Sequence, residues 1–251
     1  MKALILNSGL GHRMGVLTSE HPKCMTEISE KDTILSRQLR LIARAGITEV
    51  VMTTGYFDDV LINYCNSLNL PLRITFVNNP LYAETNYIYS IYCAKKELEG
   101  EDILLMHGDL VFEQSVLEDL LACENSCMKV SSTLPLPEKD FKSVVHDGRV
   151  YKVGVEFFTD AMESQALYKL NKKEWTQWLD KICEYCESDN RKCYAEVAFN
   201  EISEDCAIYA YDVENRLCSE IDTPEDLQVV SAKLKEVNER TVYMCFSTEY
   251  I

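Results

Sequence analysis

The chain opens on a short apolar run, Lys2–Leu6, and a glycine-bearing turn closes it. From Thr33 to Ala45 the apolar residues Ile34, Leu35, Leu39, Leu41 and Ile42 recur at helical spacing, and Gly46 is the natural stop. Glu49–Thr54 then reads as a strand, Asp58–Leu68 as a helix and Arg73–Val77 as a strand. Tyr87–Leu98 reads as a helix and Asp102–Met106 as a strand. Strands and helices thus alternate through the first half. Alternation of this kind predicts a parallel sheet with helices on both faces, and ligands in such folds sit at the carboxyl ends of the strands.

The second half changes character. Met128–Thr133 is β-rich. Ser143–His146 and Arg149–Val155 flank Asp147-Gly148, a dipeptide suited to a type I′ hairpin. Lys172–Ser188 predicts a helix bearing Trp175 and Trp178, and Ala207–Tyr211 a strand. Pro224–Val237 predicts a terminal helix with Thr223 as N-cap and Asp226 in its first turn. The last residues, 242–251 among them, read as a loosely held tail. No repeat, low-complexity stretch or linker interrupts the chain.

Composition narrows the class. At 251 residues, 47% hydrophobic and 26% charged, this is an ordinary globule, which excludes collagen-like, coiled-coil and disordered chains. The net charge of −16 repels nucleic acid and anionic membrane. An anionic substrate would need a local cluster of cations or a metal. No apolar run approaches the roughly 20 residues of a membrane span, and the first residues lack a signal peptide's apolar region, so a cytoplasmic location is expected. The 11 cysteines are irregularly spaced and read as small buried hydrophobes. Cys183 and Cys186 have no second pair to complete a zinc site.

The candidate chemistry begins at Gly9-Leu10-Gly11-His12-Arg13, directly after the first strand. Two glycines let backbone N–H groups approach a phosphate. The dinucleotide fingerprint fails, because Met14 occupies the third glycine position, and that disfavours an NAD(P) oxidoreductase. Leu17–Pro22 reads as a loop rather than a helix. The same loop then carries Pro22-Lys23, so it supplies two cations. Asp109, ending the strand ILLMHGD, and Asp222, before the terminal helix, are acidic positions that helix capping would also explain. Asn86 and Ser90 share one helix face.

The run G-x-G-x-R followed by P-K resembles the signature of the sugar-nucleotidyltransferase-like pyrophosphorylases, usually A-A-G-x-G-x-R…P-K. Asn7-Ser8 stand where two small residues are usual. The resemblance implies an α/β fold: a Rossmann-like, mostly parallel sheet flanked by helices, nucleotide-diphospho-sugar transferase-like, with a smaller mixed α+β acceptor-binding region. Residues 1–251 would then be a single domain. Its nucleotide-binding half would be about 1–130, its acceptor-binding half about 131–220, and its metal-site segment and helix 221–251.

The same resemblance implies nucleotide contacts at Leu6, Asn7, Ser8, Gly9, Gly11, Arg13, Lys23, Asn86 and Ser90. It gives Lys23 and Arg13 catalytic roles and puts Mg²⁺ on Asp109 and Asp222. Asn86–Ser90, Tyr168-Lys169-Leu170 and Tyr194-Ala195-Glu196 resemble one branch in particular, the bacterial CTP:phosphocholine and CTP:2-aminoethylphosphonate cytidylyltransferases. That branch implies CTP and a small amine-bearing phosphate or phosphonate as partners. Tyr168, Trp175, Trp178, Tyr194 and Glu196 would as a group receive the amine, although any one of these aromatics taken alone reads first as core. The alternatives are a sugar-1-phosphate nucleotidyltransferase using UTP or dTTP, and a non-catalytic nucleotide sensor. Neither nucleic acid nor membrane is expected as a partner, and a homodimer stays open.

Overall fold

The structure, a computed structural model, describes residues 1–247. The first half runs β1 (Lys2–Leu6), α1 (Ile34–Arg44), β2 (Glu49–Thr54), α2 (Asp58–Ser67), β3 (Arg73–Asn78), α3 (Tyr87–Cys93), α4 (Lys95–Leu98) and β4 (Ile103–His107). These match the predicted elements closely. The expected helix over Tyr87–Leu98 breaks at Ala94, which leaves helical geometry (φ −88°, ψ 2°). The loop after β1 is more regular than expected, because His12–Thr18 winds as 3-10 turns kinked at Gly15.

The chain continues with β5 (Leu110–Phe112), α5 (Gln114–Ala122), β6 (Cys127–Ser131), β7 (Lys142–His146), β8 (Arg149–Gly154) and β9 (Ala161–Leu170). After them come α6 (Lys172–Glu187), α7 (Ala195–Ile202), β10 (Ile208–Asp212), β11 (Cys218–Glu220) and α8 (Pro224–Ser247). The β7–β8 turn has Asp147 and Gly148 both at positive φ, as a type I′ hairpin requires. Helix α8 extends to Ser247, past the predicted end at Val237, so the expected tail is helical up to there; 248–251 lie outside the described residues.

Nine strands form one sheet in the order β3-β2-β1-β4-β9-β6-β10-β8-β7. The first four are mutually parallel, as expected. Strand β9 then enters antiparallel between β4 and β6, so the whole sheet is mixed. Both faces are covered. Leu4 and Leu6 point into one apolar layer with α3, α6 and α7, and Ala3 and Ile5 into the other with α1, α2 and α5. A strand buried on both faces needs a continuous apolar run, which is why β1 and β4 read so plainly.

A third, smaller cluster joins Met14, Val111, Ile221, Val230 and Leu234. It seats α8 against the two-stranded ribbon of β5 and β11.

Candidate active site

A cleft of about 520 Å³ opens at the carboxyl ends of β1 and β4. A recess of about 190 Å³ adjoins it, and Leu6, Gly9, Tyr87, His107 and Asp109 border both. The turn after β1 forms the cleft's rim. Gly11 sits at φ 65°, ψ 25°, and a Cβ there would come 3.1 Å from Lys23 Cβ. The second glycine is therefore needed for the turn itself. Pro22 feeds a short 3-10 turn, Lys23–Met25, that aims Lys23 into the cleft.

Asp109 and Asp222 are far apart in sequence, and the β5–β11 ribbon brings them together. Leu110 pairs with Glu220, and the Ile221 N–H donates to Asp109 O at 3.1 Å. Capping of α8 is done by its neighbour. Asp226 N–H donates to Thr223 Oγ1 at 3.2 Å, and Thr223 N–H donates back to Asp226 Oδ2 at 2.8 Å. The Asp222 carboxylate is thereby left for the cleft. Lys23 Nζ bridges the pair, touching Asp109 Oδ2 and lying 2.7 Å from Asp222 Oδ1. Arg13 reaches the same Asp222 oxygen at 2.9 Å, with its side chain 64% exposed.

Burial alone would push Lys23 toward neutrality, but the charges of Asp109 and Asp222 outweigh it and hold the ammonium protonated. Burial likewise opposes ionisation of Asp109, and Lys23 and His107 more than offset that.

Two residues that sequence reasoning passed over complete the acidic floor. Glu220 offers an oxygen within 4.8 Å of donor atoms on His107 and Asp109, and it does the same with Asp140 and Asp222. The signal was present, because Glu220 precedes Asp222 by two on an extended segment and so shares its face. Asp109 Oδ1 is buried with no hydrogen-bond partner, as a carboxylate awaiting a cation would be. Hard oxygen donors of this kind suit a divalent ion such as Mg²⁺.

His107 Nδ1 lies 2.9 Å from Glu220 Oε1. Burial favours its neutral form, but the bond to Glu220 and the surrounding carboxylates raise it to about 9. Burial and Asp109 push Glu220 upward, and the bond to His107 opposes them.

Ser8, Asn86 and Ser90 line the recess, joined by Asn79, Tyr82 and Thr85, which the sequence did not single out. Asn86 caps α3, its Oδ1 accepting Tyr87 N–H at 2.7 Å. Ser90 is held by Asn79 Nδ2 at 3.0 Å.

The expected amine-binding residues divide. Tyr194 lines the cleft and is 38% exposed. Tyr168, Trp175 and Trp178 are fully buried, which corrects the expectation that they touch the acceptor. Trp175 Nε1 donates to Leu98 O at 3.0 Å and Trp178 Nε1 to Ala195 O at 2.9 Å, so both indoles are satisfied inside the core. Glu196 is also buried. It accepts from Tyr168 Oη at 2.9 Å and from Tyr87 Oη.

The aromatic wall of the cleft is instead Tyr87, Phe141 and Tyr194. The Tyr87 ring lies 4.8 Å from that of His107 and 5.8 Å from that of Tyr194, and Phe141 lies 5.1 Å from Tyr194. Phe141 comes with Lys139 and Asp140 from the strap joining β6 to β7. No cysteine, Cys183 and Cys186 included, belongs to a cluster spaced for a metal among the described residues.

Comparison with known proteins gives this geometry a family. The chain is 31% identical over 160 residues to the CTP:phosphoglutamine cytidylyltransferase of Campylobacter jejuni, covering 61% of this chain and 62% of the relative. It is 32% identical over 136 residues to the CMP-5'-(3-aminopropyl)phosphonate synthase of Streptomyces rubellomurinus, covering 54% of this chain and 21% of that one. The chain thus spans less than two thirds of the length of either relative. The solved CTP:phosphocholine cytidylyltransferase of Streptococcus pneumoniae superposes with a TM-score of 0.73 at 20% identity, over 93% of this chain and 98% of that one. That likeness establishes the nucleotide-diphospho-sugar transferase fold, here with its mixed sheet. The sequence profile of the MobA-like NTP transferase domain matches residues 3–132, and the chain belongs to that family of nucleotidyltransferases.

Proposed function

We propose that this chain transfers CMP from CTP to a small amine-bearing phosphate or phosphonate, releasing pyrophosphate, and that it does so in the cytoplasm. One observation carries the reading: Arg13, Lys23, Asp109 and Asp222 converge where the recess meets a cleft walled by Tyr87, Phe141 and Tyr194. The recess takes the nucleoside, and the turn from Gly9 to Arg13 takes the phosphates. The two similar enzymes named for CTP-derived products and the solved phosphocholine enzyme support cytidine as the base.

An anionic oxygen of the acceptor attacks the α-phosphorus in line. One P–O bond forms, the bond to pyrophosphate breaks, and no general base is needed, because the attacking oxygen is already deprotonated. Catalysis is then positioning and charge compensation. Lys23 swings between carboxylates and phosphate to neutralise the crowded centre, and exposed Arg13 holds the departing β- and γ-phosphates. Asp109 and Asp222, with Glu220 and Asp140 in reach, would hold Mg²⁺, whose charge draws electron density from phosphate oxygens. Tyr87, Phe141 and Tyr194 present faces to the acceptor's ammonium, and buried Glu196 fixes the Tyr87 ring from behind.

The test is pyrophosphate release from CTP, UTP, dTTP, ATP and GTP against phosphocholine, 2-aminoethylphosphonate, phosphoglutamine and glucose 1-phosphate. Release with CTP and an amine-bearing acceptor, abolished by EDTA, is expected. Release only with UTP or dTTP and the sugar phosphate would move the function to nucleotide-sugar synthesis, and CTP binding without any release would make the chain a sensor.

A further inference from the structure

The strap between β6 and β7, residues 132–141, carries Lys139, Asp140 and Phe141 to the cleft without a helix or strand of its own. A segment outside any ladder keeps its course only through bonds at its ends and whatever crosslinks its middle. Its start is tied down by Ser131 Oγ, which donates to Glu214 O at 2.6 Å and accepts Leu134 N–H at 3.1 Å. Its end joins the sheet where Phe141 O accepts Ser164 N–H at 3.1 Å. The stretch between includes Pro135 and Pro137, which have no N–H to offer.

Lys142 reaches back over that stretch. It opens β7, paired on one side with Gly154 of β8 and on the other with Glu163 of β9, so its backbone is fixed in the sheet. Its side chain is fully buried. Nζ donates to Pro137 O at 2.6 Å and Glu138 O at 3.4 Å, and it stands 4.1 Å from the centre of the Phe158 ring. Lys129, equally buried, is neutralised by the Glu163 carboxylate. Lys142 is met instead by carbonyl dipoles and an aromatic face. An ammonium buried in this way is stable only while those partners stay in place, so the charge and the strap hold each other. Asp140 lies between the two fixed points, the carbonyls of 137–138 and that of Phe141. Its carboxylate falls within 4.8 Å of oxygens on Glu220 and Asp222.

We infer that Lys142 is a positioning residue of the active site: by tying the Pro137 and Glu138 carbonyls to the Phe158 ring, it holds the strap with Asp140 and Phe141 at the cleft. The dependence of the strap on Lys142 stands on the geometry alone. Its effect on an acceptor rests on the cytidylyltransferase reading, which puts Phe141 in the wall facing the ammonium.

The experiment compares the full chain with Lys142→Met, which keeps a long stem and drops the ammonium, and with Phe158→Leu, which removes the ring. Phe158 is 55% exposed, so the second variant tests the clamp without entering the core. A glutamate-specific protease reports on the strap through cleavage after Glu138, followed by mass spectrometry. That rate should rise about tenfold in Lys142→Met, because hydrogen bonds from a charged donor are lost and cleavage tracks the open population. In Phe158→Leu it should rise about two- to threefold. In turnover, the acceptor KM should rise about tenfold in Lys142→Met while kcat stays within about threefold, since Lys23, Asp109 and Asp222 sit on other elements. A general loss of structure would not divide KM from kcat in this way.

Unchanged cleavage after Glu138 in both variants would overturn the inference. So would faster cleavage with an acceptor KM equal to that of wild type. If Lys142→Met does not fold, an unchanged rate in Phe158→Leu overturns it alone. Failure of the functional reading looks different: the strap loosens in the variants, but wild type consumes CTP with no acceptor.

Discussion

Lys23 stands between two carboxylates that would otherwise face each other across the cleft, and its charge keeps Asp109 ionised despite burial. Lys23→Ala should cut kcat by about 10²–10³ while circular dichroism shows the fold retained. Near-normal pyrophosphate release would remove Lys23 from the mechanism. The aromatic residues separate by the same logic. Trp178→Ala deletes a fully buried indole and should destabilise by about 3–5 kcal/mol in chemical denaturation. Tyr194→Ala should leave stability nearly unchanged and raise the acceptor KM several-fold. The opposite pattern would return the tryptophan to the site. At this scale the sequence was legible where a motif marks positions that the fold brings together, as for Arg13, Lys23, Asp109 and Asp222 at one cleft. It was ambiguous for aromatics, because Trp175 and Trp178 carry the same chemistry whether they face a ligand or the core. Only the acceptors of their N–H groups, Leu98 O and Ala195 O, decide between the two.

Among elements, β1 to β4 announce themselves and β9 does not. Its sequence AMESQALYKL mixes apolar and ionisable residues, yet eight of its positions are buried. The polar ones are tolerated because partners await them. Glu163 pairs with fully buried Lys129, and Lys169 Nζ donates to Cys123 O at 2.9 Å and Glu124 O at 3.1 Å. Hydrophobic periodicity cannot register a strand whose polar groups are satisfied by distant residues. The strap that brings Asp140 and Phe141 to the cleft has a comparable anchor at its start. Asp212 Oδ1, at the end of β10, accepts N–H bonds from Ser132 at 3.1 Å and Glu214 at 2.8 Å. Burial would raise the Asp212 pKa, but these donors prevail and hold it below its ordinary 3.8. Its stabilisation is therefore present above pH 3.8 and lost as pH falls through the lower folded value. Asp212→Asn should lower the urea midpoint at neutral pH, and the gap to wild type should close in acid. A gap that persists there would assign the effect to packing.

For the whole molecule, a charge of −16 surrounds a cationic pair poised for a polyanion. The distant field opposes CTP, and salt screens it over about 10 Å at 0.1 M. With free Mg²⁺ held constant, raising NaCl from about 10 to 100 mM should lower the CTP KM. A rise would show that Arg13 and Lys23 dominate the approach as well as the bound state. Among the described residues no helix is long and apolar enough to cross a membrane.

Strand β9 also sets the order in which the molecule can be made. The profile match ends at residue 132, but the sheet around it does not, because β4 has β1 on one side and β9 on the other. While the ribosome is still adding the segment up to Leu170, the backbone of Ile103–Met106 has no partner on one edge. At roughly 5–20 residues per second that interval lasts on the order of seconds. An apolar edge of that sort recruits other chains. A fragment ending at 132 should therefore elute as aggregate in size-exclusion chromatography despite carrying the whole nucleotide motif, and co-synthesis with 133–251 should recover a soluble one-to-one pair. The edge of β4 thus stays open to other chains until the protein's own later strand arrives to close it.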